Sequence, residues 1–99
     1  MQNYRSESVE RLFKAFSLLK SKDECSAFLE DICTITEIRD MAQRLDAALL
    51  LDDGINYQSI SKQVGISTAT ISRVSRCINY GTGGYKTVID RLKSEEAKK

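Results

Sequence analysis

The chain contains no histidine and no proline among its 99 residues, and only five glycines. The missing histidines remove the commonest general base and the imidazole ligand of many zinc sites. Three cysteines are present, Cys25, Cys33 and Cys77, an odd number with no Cys-x-x-Cys spacing. A structural zinc site needs four ligands at short spacings, so no metal is expected. These cysteines read as small, buried apolar residues in a reducing compartment, with a redox switch through Cys25 or Cys33 as the alternative. No apolar run reaches the length of a membrane span, and the start, MQNYRSESVER, lacks the apolar centre of a secretion signal. A cytoplasmic protein without membrane contact is expected. The serines fall on helical stretches or at their caps, not in a strained strand-to-helix elbow, so no catalytic constellation forms and no enzyme is expected.

Without proline, and rich in Leu, Ile, Ala, Lys and Glu, the chain favours an all-α fold. Its length suits one domain over residues 1–99, with a core modest enough that oligomerisation would help. Val9, Leu12, Phe13, Phe16 and Leu19 form one apolar stripe on a first helix over roughly residues 5–20. The run SKDE caps a short second helix carrying Ala27, Phe28, Leu29 and Ile32. Thr34 and Glu37 have the spacing of a capping box and open the third and longest helix. That helix places Ile38, Met41, Ala42, Leu45, Leu49 and Leu50 on one side, widened by Ala48 and Leu51, and ends at Asp52-Asp53-Gly54. A short sixth helix carries Tyr85, Val88, Ile89 and Leu92, and a tail over residues 94–99 is expected to be mobile.

The fourth and fifth helices have the form of a helix-turn-helix over about residues 57–79. Ile60 and Val64 stand one turn apart and stop at Gly65; a second apolar set follows at Ile66, Ile71, Val74 and Ile78. Gly65 suits the left-handed corner between them, and Asn56 and Ser67 suit the two N-caps. Ser61 is small where the helices cross. The free side of the second helix carries Thr68, Ala69, Ser72, Arg73 and Arg76, with no carboxylate. Small hydroxyls and arginines fit a groove of DNA. The other reading of the same hairpin is a helical protein–protein interaction module without DNA binding.

Charge is unevenly spread although the net is only +1. Residues 1–22 carry net +3, residues 23–53 net −7 and residues 54–99 net +5. The helix-turn-helix lies in the basic block, and the acidic block should face away from phosphate. The segment GTGGYKT, residues 81–87, superficially resembles a phosphate loop, but Tyr85 separates Lys86 from the last glycine and no strand precedes it. A hinge, or a loop touching a DNA phosphate through its amides and Lys86, is the expectation. The first helix and the LLL end of the third display more apolar surface than a small monomer covers easily, which favours a homodimer.

Three segments carry a family resemblance: DICTITEIRDMAQRL at residues 31–45, QVGISTATISRV at 63–74 and GTGGY at 81–85. Together they resemble the Trp repressor-like family, in its YerC/YecD branch. The resemblance covers most of the chain. It implies an intertwined six-helix homodimer with interlocked N-terminal helices, and a sequence-specific DNA-binding regulator of transcription, a repressor. The tryptophan pocket of the family is only partly matched. Arg73 matches one ligand arginine, Gln43 stands at the other with Arg44 adjacent, and Thr70 matches a pocket threonine. Val74 replaces a glycine and Cys77 a serine, so tryptophan is not expected as corepressor, and any other effector is open. No cofactor is expected.

The expected partners are double-stranded DNA and a second copy of the chain. The residues expected at DNA are Lys62, Ser67, Thr68, Ala69, Ser72, Arg73, Arg76 and Lys86. The candidate effector pocket is Gln43, Arg44, Thr70, Arg73, Val74 and Cys77.

Overall fold

The computed structural model describes residues 4–98, which form six α-helices and no strand. They are α1 (Glu7–Ser17), α2 (Lys22–Ile32), α3 (Ile35–Asp52), α4 (Tyr57–Ile60), α5 (Thr68–Tyr80) and α6 (Gly84–Ala97). A π-helical turn, Ser61–Gly65, continues α4 without a break. Lys99, the end of the expected tail, lies outside the described residues.

Side-chain caps fix where five of the helices begin. Ser6, Ser21, Asn56 and Ser67 accept from the amides of Val9, Glu24, Ser59 and Thr70. Thr34 Oγ1 accepts from Glu37 N–H at 3.1 Å while Glu37 Oε1 accepts from Thr34 N–H at 2.8 Å, the reciprocal capping box. Those bonds hold the Glu37 carboxyl below its ordinary pKa, the backbone amide of Thr34 first and its hydroxyl second. The first helix is shorter than the span of roughly residues 5–20 expected. It starts only after Ser6, and the amides of Leu18 and Leu19 turn back to Ala15 and Phe16, a tightening that closes the last turn.

The chain divides into two compact units, one up to Ile38 and one from Arg39. Neither α1 nor α2 in the first unit has a buried residue. Within it Phe16 meets Phe28 edge to face, at 5.2 Å between centroids. Arg5 lies over the Phe13 ring and pairs with Glu10 at 2.6 Å.

The second unit holds the core, in two clusters. Ala47, Ile60 and Ile71 form one, with Leu50, Ile55, Val64 and Ile66 against it. Ala48, Val74 and Ile89 form the other, with Leu49, Ile78 and Tyr85 against it. Adjacent helical residues point about 100° apart, so the pair Ala47-Ala48 serves both clusters from one turn of α3. Ala47 is fully buried and was not among the expected apolar positions, while Met41 is 38% exposed. Small side chains allow close helix approach, so the alanines, not the longer residues, sit at the centre. At the far end of α3, Lys93 on α6 pairs with Asp52 at 2.6 Å and also with Asp53. Helix α6 is longer than the short helix expected and includes residues 94–97.

The cysteines differ from the buried role expected of them. All three are free; Cys25 and Cys33 are half-buried and Cys77 is exposed. The buried positions are taken by Ala47, Ala48, Ile60, Ile71, Val74 and Ile89 instead.

Candidate nucleic-acid interface

The site is built on a corner. The π-helical turn ends at Gly65, whose φ of 82° is left-handed, and Ile66 and Ser67 return to extended backbone before α5 begins. Ser67 caps α5 by accepting from Thr70 N–H at 3.1 Å, and its hydroxyl also meets Thr70 Oγ1 at 3.1 Å. Ile71 and Val74 are then buried, which orients the helix. The opposite face is solvent-facing: Thr68, Ala69, Ser72, Arg73 and Arg76 are all exposed.

Among the described residues neither Arg73 nor Arg76 pairs with a carboxylate, and no acidic residue occurs on α5. Both guanidinium groups therefore remain available to an external anion. The same side continues to Asn79 and to Tyr80, which is 85% exposed. The apolar pattern gave no reason to single Tyr80 out; its exposure one turn beyond Arg76 does. Lys62 is exposed on the π-helical turn. Lys86 is exposed too, but stands in the first turn of α6 and not in a loop, because the helix already starts at Gly84.

Two side chains hold the corner. Ser61 Oγ donates to Ile66 O at 2.6 Å, and Gln43 Nε2 on α3 donates to Val64 O at 3.4 Å. The crossing-point serine thus does more than leave room.

The six candidate effector residues do not converge within the chain. Gln43, Arg44 and Thr70 line a cavity of about 220 Å³ together with Asp40 and Ile66. Val74 is 2% exposed and belongs to the core. Cys77 lines a separate, largely apolar cavity of about 640 Å³ beside Leu45, Tyr85 and Val88. Arg73 lines neither. No cluster of metal-ligating side chains occurs among the described residues, and no helix there is long and apolar enough to cross a membrane.

Two short helical segments meeting at a left-handed glycine, the second capped, acid-free and exposed along one side, define a helix-turn-helix protein. The chain belongs to the Trp repressor family: the model of that family, described as Trp repressor protein, matches residues 7–93. Within it the chain falls in the YerC branch. It is 46% identical over 92 residues to the uncharacterised protein YerC of Bacillus subtilis (strain 168), covering 93% of this chain and 88% of that one. It is also similar to the crystal structure of a TrpR-like protein from Eubacterium eligens, with TM-score 0.84 and 46% identity over 90% of this chain and 92% of that one. A structure from Staphylococcus aureus, provisionally assigned as a Trp repressor, aligns with TM-score 0.83 and 38% identity, covering 90% and 89% of the two chains.

Proposed function

We propose that the chain is a cytoplasmic, sequence-specific DNA-binding regulator that acts as a homodimer and represses transcription at the sites it occupies. One observation carries the reading: α5 exposes a continuous face of small hydroxyls and unpaired arginines with no carboxylate on the helix. Membership of the Trp repressor family supports it. Thr68, Ala69 and Ser72 lie where a recognition helix meets base edges, with Ser67 at the cap close to the backbone. Arg73, Arg76, Lys62 and Lys86 supply charge for phosphate or guanine. The dimer is supported by the first unit, whose α1 and α2 have no fully buried residue and which leaves Phe13, Phe16, Leu18 and Ile32 exposed.

The test uses DNA selected from a random pool by the wild-type protein, alongside random DNA, at two salt concentrations. A dimer selects a two-fold site with half-sites about 10 base pairs apart. Arg76→Ala weakens both DNAs together and lowers the salt slope by roughly one if it meets one phosphate. Thr68→Ala changes which sequence is preferred with a smaller loss on random DNA. Saturating L-tryptophan leaves affinity and melting temperature unchanged, because Val74 and Cys77 stand where the family's ligand residues are smaller or more polar. Binding that ignores both substitutions and ignores salt would instead favour a protein-binding hairpin.

A further inference from the structure

The corner between α4 and α5 has two carbonyls that helix geometry leaves without donors. The π-helical turn ends at Gly65, so Val64 O is among its last, unmatched acceptors, and Ile66 O lies in extended backbone outside either helix. Gly65 between them has nothing within 4 Å of the place a Cβ would occupy, so packing does not hold it. The two carbonyls are instead gripped by side chains from different directions. Gln43 Nε2 reaches Val64 O at 3.4 Å from α3, twenty-one residues back, and Ser61 Oγ reaches Ile66 O at 2.6 Å from within the turn. Both bonds are half-buried, where a lost donor is replaced less well than at the surface.

We propose that Gln43 is a positioning residue for DNA reading: its carboxamide ties α3 to the corner and, with Ser61, sets the angle at which α5 presents Thr68, Ala69 and Ser72. The proposal rests on the reading of α5 as the DNA-reading helix. Because the Gln43 carboxamide bonds to a backbone carbonyl of the corner and to neither arginine, its loss leaves the charges of Arg73 and Arg76 in place. It therefore acts on base contacts, which need exact register, more than on phosphate attraction, which does not.

The experiment compares the full chain with Gln43→Met, which keeps length and removes the donor without changing charge. The readouts are affinity for selected and random DNA, melting temperature, and hydrogen exchange of the Thr70 and Ile71 amides, which bond to Ser67. The expected result is about a tenfold loss on selected DNA, the order of one half-buried hydrogen bond. Random-DNA affinity and salt slope stay unchanged, exchange at the two amides speeds up, and the melting temperature moves by a few degrees at most. An unchanged ratio of selected to random affinity overturns the proposal alone. Equal losses on both DNAs with a large fall in melting temperature overturn it too, since Gln43 is then merely structural. A wild-type chain that binds no DNA removes the DNA-reading role and this proposal together, and shows it before any variant is made. Should Gln43→Met not fold, Gln43→Leu, which likewise removes the donor without adding charge, is judged by the same criteria.

Discussion

Thr34 and Glu37 satisfy each other's backbone amides at the start of α3. The Glu37 carboxyl is thereby more acidic than its ordinary value of 4.5. A depressed carboxyl contributes stability above its unfolded pKa and loses it as pH falls through the folded one. Wild type should therefore melt slightly higher than Glu37→Gln at about pH 7, and the gap should shrink as pH falls below the ordinary value of 4.5, read from melting curves across that range. A gap that persisted in acid would mean that the bond geometry matters and the charge does not. Caps of this kind were legible in the sequence because they are local: a short polar side chain three residues before the amide it bonds. The cysteines were not legible, since their burial depends on which apolar residues win the interior. Ala47 was missed for a related reason, as alanine carries too little apolar weight to stand out at the helix axis.

Helix α5 is held by one residue in each core cluster, Ile71 in the first and Val74 in the second. Ile71 is fully buried between α3 and α4. Ile71→Ala should cost ~3 kcal/mol, the range for a core isoleucine truncated to alanine. In a domain of this size that is roughly 12–24 °C of melting temperature. Chemical denaturation read by circular dichroism checks it; a loss below ~1 kcal/mol would mean that the two clusters do not jointly fix α5. The order of helices, the glycine corner and the exposed face of α5 were readable from apolar spacing. The π-helical turn was not, because widening a turn by one residue leaves Ile60 and Val64 on the same side. The grip of Gln43 on Val64 O was equally hidden, since no local pattern links residues so far apart in sequence.

At the scale of the molecule, the core lies in the unit from Arg39, while in the unit up to Ile38 no residue of α1 or α2 is fully buried and Phe13, Phe16, Leu18 and Ile32 are exposed. With a chain mass of 11.1 kDa, sedimentation equilibrium should report twice that value. Removing residues 1–20 should abolish the dimer and most of the cooperative unfolding transition. A well-folded monomer after that deletion would falsify the intertwined arrangement. The organisation into helices was legible, while the pairing of chains rests on surfaces that a sequence only shows to be apolar.

The half-covered stripe on α1 also makes the amount of protein a variable in its own right. In the proposed dimer, a chain is finished only by meeting another, so the competent fraction rises with total concentration. At low abundance each new molecule then adds more than its share of occupied sites. A cell carrying this regulator would answer to its dosage steeply, as though the fold itself were counting copies.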